Sequence, residues 1–205
     1  MKHLIFLPGA SGNTAFWQPL MALLPAGYSM QVIAYPEFGD APAHPDVADF
    51  ASLSRHVLGQ IEQESIIIAQ SMGGIFAVQA ALQKPELVKG LVLIATSGGI
   101  DLSRFEIGDW RTAYKNQFLN YPDWFTAVQL DYSAQLPEIR QKVLLLWGDA
   151  DPVSPVAVGQ QLNRQFADSS LRIIQGGDHL FAEQHAPQAA AQISEYLQHF
   201  AQRAH

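Results

Sequence analysis

Six short apolar runs recur along the chain, separated by longer stretches with helical character. They are Leu4–Leu7, Gln31–Tyr35, Ser65–Gln70, Gly90–Ala95, Val143–Trp147 and Leu171–Gln175. Each run is continuous rather than alternating, the pattern of parallel strands buried on both faces. Helices are expected over Phe16–Leu24, Val47–Gln63, Gly73–Gln83, Pro155–Phe166 and Pro187–Gln202. Asp46 is the expected N-cap of the second. Ser154 is the expected N-cap of the fourth, with Pro155 at its first position. Strand–helix alternation requires right-handed crossovers, so the pattern predicts an α/β fold: a three-layer, doubly wound sheet of about six parallel strands.

Length and composition narrow the function classes. A chain of 205 residues with 48% hydrophobic and 15% charged residues is globular. It is expected to form one domain over 1–205, with room for one sizeable core. The formal net charge of −7 disfavours nucleic acid or an anionic membrane surface as partner. With no cysteine, a disulfide scaffold, a thiolate nucleophile and Cys-ligated metal sites are excluded. No run approaches the ~18 residues of a membrane span. The apolar stretch at the start, Leu4–Leu7, falls short of the roughly 7–15 residues of a secretory h-region. A cytoplasmic location is the expectation.

One segment interrupts the alternation. Residues 98–137 contain no clear strand but carry eight of the chain's 21 aromatic residues. A connection that long inside a compact domain points to a small helical lid inserted in the domain.

In open α/β sheets, ligands sit beyond the C-terminal strand ends, so the residues after each strand carry the chemistry. After the third strand comes Ala69-Gln70-Ser71-Met72-Gly73-Gly74, which runs directly into an apolar helix. A serine at a sharp strand-to-helix turn is lifted clear of the sheet, with small neighbours relieving the crowding. The helix N-terminus behind it favours developing negative charge. An N-capping serine on an ordinary turn is the competing reading of the pentapeptide alone.

A serine nucleophile needs a base. Of seven histidines, His179 follows the sixth strand in a Gly-containing turn at the same sheet edge; His185 is the other histidine near it. A carboxylate should orient that imidazole. Asp149 and Asp151 both follow the fifth strand, in Gly148-Asp149-Ala150-Asp151-Pro152. The order Ser, Asp, His, each after its own strand, outweighs chance readings of each residue singly. Two donors should face the oxyanion. The Met72 amide is one, and the loop Pro8-Gly9-Ala10-Ser11-Gly12 offers Ala10, with Ser11 as second choice. A phosphate-cradling loop would be expected to carry a following Lys, which this one lacks.

At these residues the chain resembles the α/β-hydrolase superfamily, over nearly its whole length. The likeness includes Pro8-Gly9-x-x-Gly12, Tyr35-Pro36-Glu37-Phe38-Gly39, the elbow at 69–73, Gly148-x-x-Asp151 and Gly177-x-His179. It implies Ser71 as nucleophile, Asp151 rather than Asp149 as the orienting acid, and His179 as base. It implies neither a cofactor nor a metal. Three departures stand out. Pro8 replaces the usual His of the oxyanion loop, Ala69 replaces the first elbow glycine, and the N-terminal hairpin is missing, which leaves six parallel strands. A Ser nucleophile is unlike the dehalogenase and epoxide hydrolase branches, which use Asp.

The expected activity is that of a short serine esterase or thioesterase acting on a small-molecule ester or thioester through an acyl-enzyme. The resemblance extends to pimeloyl-carrier-protein methyl esterases and thioesterases without selecting either. Trp110, Phe118 or Trp124 is expected to contribute to an acyl pocket. The alternatives are a catalytically silent binder of small apolar ligands and a non-hydrolytic acyltransferase or lyase on the same scaffold. Oligomeric state is not readable from the chain.

Overall fold

Alternate side chains of the central strands divide between two cores. Ile5, Leu7, Ile67, Leu91, Leu93, Val143 and Leu145 pack on one face of the sheet. Leu4, Phe6, Ile66, Ile68, Val92, Ile94, Leu144 and Leu146 pack on the other. With both faces covered, polar alternation has no place, which is why the runs are continuous. The computed structural model describes residues 2–201. Gln202, the expected end of the last helix, and His205 lie outside the described residues.

The strands are β1 (Lys2–Leu7), β2 (Tyr28–Val32), β3 (Ser65–Gln70), β4 (Val88–Ile94), β5 (Lys142–Gly148) and β6 (Ser169–Ile174). They form one six-stranded sheet in the order β2-β1-β3-β4-β5-β6, parallel at every pairing. The helices are α1 (Gln18–Met21), α2 (Phe50–Gly59), α3 (Gly73–Gln83), α4 (Trp110–Gln117), α5 (Trp124–Ala127), α6 (Val156–Gln165), α7 (Phe181–Gln184) and α8 (Ala186–Ala201). Residues of α2, α3 and α6 join the first core; residues of α1, α7 and α8 join the second. Among the described residues, no helix is long and apolar enough to cross a membrane.

The sheet order reverses between β1 and β3, because β2 lies on one side of β1 and all later strands on the other. That switch point opens a crevice at the C-terminal strand ends. The loops after β1 and β3 therefore flank one crevice.

Several boundaries differ from those the sequence predicts. The second strand begins at Tyr28 and ends at Val32, although the apolar run continues. The Ile33 N–H still donates to the Phe6 carbonyl at 3.0 Å, but the chain then leaves the ladder; Ile33 and Tyr35 stay fully buried, so their hydrophobicity serves packing beyond the strand. At the two sheet edges, β2 and β6 are largely half-buried, which permits Ser169 and Ser170 at the start of β6. The second helix starts at Phe50 and is capped by Asp49, not Asp46. Asp49 accepts the Ser52 N–H at 2.7 Å, and Ser52 Oγ accepts the Asp49 N–H in return. The Ser52 hydroxyl donates to Asp49 Oδ1 at 2.6 Å, and this bond, with that of the Ser52 N–H, holds the Asp49 carboxyl below the usual carboxylate range. The helix expected over Pro155–Phe166 is α6; it is capped by Pro155 without a side-chain bond, so Ser154 is not its N-cap. The Ser154 N–H instead donates to Asp151. The first predicted helix is split into a 3-10 turn over Thr14–Trp17 and the short α1, with Pro19 in its first turn.

Gly73 opens α3 directly beneath the loop after β1. A Cβ there would lie 2.5 Å from the Pro8 carbonyl oxygen and 2.6 Å from that of Leu7. Gly73→Ala is therefore expected to destabilise the fold by about 1–3 kcal/mol, despite alanine's better helix propensity. A lowered urea midpoint would register it; an unchanged midpoint would mean that this backbone approach is not constraining.

Candidate active site

Ser71 sits in the left-handed region, at φ 51°, between β3 and α3. A non-glycine residue there carries steric strain of about 1–3 kcal/mol, so the surroundings must impose it. Its N–H donates to the Ile94 carbonyl at 2.9 Å. Its carbonyl accepts the Gly74 N–H at 3.0 Å and the Thr96 hydroxyl at 2.5 Å. Gly74 has no room for a Cβ, because the Thr96 side chain fills that space. The elbow is thus bolted to the end of β4.

His179 reaches this serine from the turn after β6. Its Nε2 lies 2.9 Å from Ser71 Oγ, and its Nδ1 lies 2.8 Å from Asp151 Oδ2. A neutral imidazole protonated on Nδ1 satisfies both contacts, donating to Asp151 and accepting the Ser71 hydroxyl. The Asp151 side chain is fully buried. Its Oδ1 accepts the N–H groups of Val153 and Ser154 at 2.8 and 2.9 Å. Buried carboxylates need such partners, and these bonds fix the carboxylate plane facing the ring. Asp149 is placed differently: it is exposed, and its Oδ1 accepts the Gly176 N–H at 2.7 Å. It ties the β5 loop to the β6 turn and does not touch His179. His185 lies outside this group, with its Nδ1 3.1 Å from Gln188 Oε1.

Ala10, Ser11 and Met72 line the same cavity as Ser71 and His179. Among the described residues, none of these three amides is engaged by an internal acceptor. The cavity measures about 1480 Å³ and is walled in part by Trp110, Phe118 and Phe125. Trp124 is not part of that wall. It packs on Phe38, ring centres 5.6 Å apart, while its neighbour Phe125 is the fully buried ring at the cavity. Adjacent helical residues point about 100° apart, and here that rotation sets Phe125 against the cavity while both rings pack on Phe38. Among the described residues, no three His, Cys, Asp or Glu side chains group as metal ligands.

Three supporting residues escape a reading by motif. Thr96 holds the Ser71 carbonyl, and the Gln70 side-chain amide donates to the His179 carbonyl at 3.1 Å. The Tyr35 hydroxyl donates to the Pro8 carbonyl at 2.8 Å. A buried glutamine ending an otherwise apolar strand was the one local signal, since a polar side chain there needs a partner.

A family model for the alpha/beta hydrolase fold matches residues 2–129, more than half of the chain. The chain belongs to the alpha/beta hydrolase family. A second model, for TAP-like proteins, matches residues 110–202. A pimeloyl-[acyl-carrier protein] methyl ester esterase of Neisseria meningitidis serogroup B is 22% identical over 97% of this chain and 93% of its own length. Among solved structures, an alpha/beta hydrolase enzyme from lagoon-sediment metagenome of Mar Chica superposes with TM-score 0.79 at 19% identity, covering 98% of this chain and 92% of its own. A thermophilic esterase from Thermogutta terrifontis gives 0.77 at 18% identity, covering 97% and 90%. At such identities the superpositions speak to the fold, and the sheet of six parallel strands is the part of it that carries the site.

The geometry makes Asp151 the partner of the imidazole. A downfield proton resonance from His179 Nδ1–H is expected in the native protein. Asp151→Asn should shift or remove it, and Asp149→Asn should leave it in place. The opposite pattern would assign the wrong carboxylate.

Proposed function

We propose that this alpha/beta hydrolase cleaves carboxylic esters or thioesters through an acyl-enzyme on Ser71. The observation that carries the reading is the unbroken relay from Ser71 Oγ through both His179 nitrogens to the buried Asp151 carboxylate. Esterase activity named for relatives at low identity is consistent with it.

In this reading His179 Nε2 takes the Ser71 proton as Oγ attacks the carbonyl carbon. Asp151 stabilises the imidazolium and keeps the ring in register. Charge accumulating on the carbonyl oxygen is met by the amides of Met72 and Ala10, with Ser11 as the neighbouring donor. His179 then protonates the departing alcohol or thiol. A water deprotonated by the same nitrogen attacks the acyl-enzyme, Ser71 is reprotonated, and the acid leaves. Each step moves one proton between His179 and an oxygen or sulfur, so no further reactant is required.

The cover over the cavity, residues 98–137, is read as a lid whose Trp110 and Phe118 contact the acyl group. Apolar area buried there is worth roughly 25 cal/mol per Å².

Ser71→Ala is expected to reduce kcat by about 10⁶ for an efficient parent enzyme while preserving the thermal melt. Asp151→Asn should cost about 10⁴, and Asp149→Asn far less. Retention of more than about a tenth of the activity in pure Ser71→Ala protein would contradict the nucleophile. Across p-nitrophenyl esters of increasing acyl length, Trp110→Ala and Phe118→Ala should lower kcat/KM progressively more as the chain lengthens. A uniform loss along the series would indicate general loosening of the segment.

A further inference from the structure

The loop after β1 is held at three consecutive peptide units by three different donors. The carbonyl of Pro8 accepts the Tyr35 hydroxyl at 2.8 Å. The carbonyl of Gly9 accepts the Gly12 N–H at 3.0 Å. The carbonyl of Ala10 accepts the Tyr114 hydroxyl at 2.7 Å. In a trans peptide, the carbonyl of one residue and the N–H of the next point in opposite directions within one plane. Fixing the Gly9 carbonyl therefore aims the Ala10 N–H, and fixing the Ala10 carbonyl aims the Ser11 N–H. The first is this loop's leading candidate to join the Met72 amide at an oxyanion, and the second is the neighbouring donor.

The first two clamps belong to the core of the domain. Gly12, at φ 65°, supplies the second; a Cβ there would come 2.5 Å from that of Phe38. The third comes from α4, 104 residues along the chain, inside the segment that covers the cavity. Tyr114 is buried and lines the cavity beside Ser71, with its ring packed on Phe118 at 4.9 Å between centres. Burial pushes its phenol well above the usual range, so the hydroxyl remains a donor throughout the working pH range. A second phenol of the same segment, Tyr121, accepts the Gly39 N–H at 2.9 Å. That bond ties the cover to the loop after β2 rather than to the oxyanion loop.

We propose that Tyr114 is a positioning residue whose hydroxyl makes the geometry of the oxyanion donors depend on the seating of the 98–137 segment. Seating the cover on the domain would complete the third clamp and thereby fix the Ala10–Ser11 peptide plane. Hydrogen-bond donors stabilise a developing oxyanion only when they are already aimed at it, so loss of the clamp should weaken the transition state more than the ground state. The inference rests on the ester-hydrolase reading of the site, and it supplies a physical role for a segment otherwise read only as a pocket wall. It also identifies what replaces support from the loop's first position, where Pro8 has no side-chain donor.

The test is Tyr114→Phe, which keeps the ring packing and removes the hydroxyl. Removing an oxyanion donor outright costs about 10²–10³ in kcat, so loosening one should cost about tenfold. We expect that loss in kcat, with KM within about twofold of the parent. Affinity for a trifluoromethyl ketone, which forms a tetrahedral adduct on the serine, should fall in proportion. Inhibition by the product carboxylic acid should not change. The Gly12 N–H, held by the Gly9 carbonyl within the same loop, should exchange faster, a readout that does not require turnover. Tyr121→Phe is the control. It removes a different bond of the same segment and leaves the Tyr114 hydroxyl in place on the Ala10 carbonyl, so it should cost much less discrimination between adduct and product than Tyr114→Phe. The proposal is overturned if Tyr114→Phe keeps its kcat and its exchange rates. It is equally overturned if adduct and product lose affinity alike, or if Tyr121→Phe reproduces the selective loss. Failure of the native protein to hydrolyse any ester would instead remove the ester-hydrolase reading, and the exchange measurement would still decide whether the clamp exists.

Discussion

The structure depends on forcing one serine into a left-handed backbone conformation. At φ 51°, Ser71 can be held only where the chain on both sides leaves room and supplies partners. Gly73 lets α3 approach the carbonyls of Leu7 and Pro8, and Gly74 leaves space for Thr96. The Ile94 carbonyl and the Thr96 hydroxyl then bind the Ser71 peptide groups from β4. Strain at one residue is thus offset by three strands packed side by side, β1, β3 and β4. A helix N-terminus at the same turn places the Met72 amide beside the serine, so one local geometry presents the hydroxyl and a backbone N–H together.

Sheet topology brings the remaining groups to that point. The reversal of strand order between β1 and β3 sets the loop of residues 8–12 directly beside the elbow. His179 comes from β6, three positions away from β3 in the sheet, and needs its own attachments. Gln70 grips its carbonyl, Asp151 grips its ring, and Asp149 anchors the turn through Gly176. The two aspartates two residues apart do different work, one toward the imidazole and one toward the backbone. The carboxylate that meets the ring is the buried one, because both its oxygens are satisfied inside the domain.

Much of this was legible in the chain because it is written locally. The six strands appear as continuous apolar runs, and α3 begins and ends at residues that the Gly pair and Pro85 mark. Ser71, Asp151 and His179 could be grouped because each follows its own strand at one edge of a parallel sheet. What could not be read depends on contacts distant in sequence. Tyr35 to Pro8, Thr96 to Ser71 and Tyr114 to Ala10 leave no local pattern, and Gln70 at the end of its strand signals the need for a partner without naming His179. Boundaries failed where a buried loop imitates a strand, as at Ile33–Tyr35. They also failed where Asp49 and Ser52 cap each other without the usual acidic third position. The choice between Trp124 and Phe125 at the cavity turned on the rotation of one short helix, which no apolar pattern of four residues can fix.

The central claim is that the strained serine is a nucleophile activated by its relay. Its most direct test is incubation of the intact chain with a fluorophosphonate, followed by intact-mass analysis and peptide mapping. One phosphonyl group per chain is expected, on the peptide containing Ser71, with slower labelling when His179 is replaced by Ala. A folded protein that takes up no label, or takes it up at a residue other than Ser71, would contradict it.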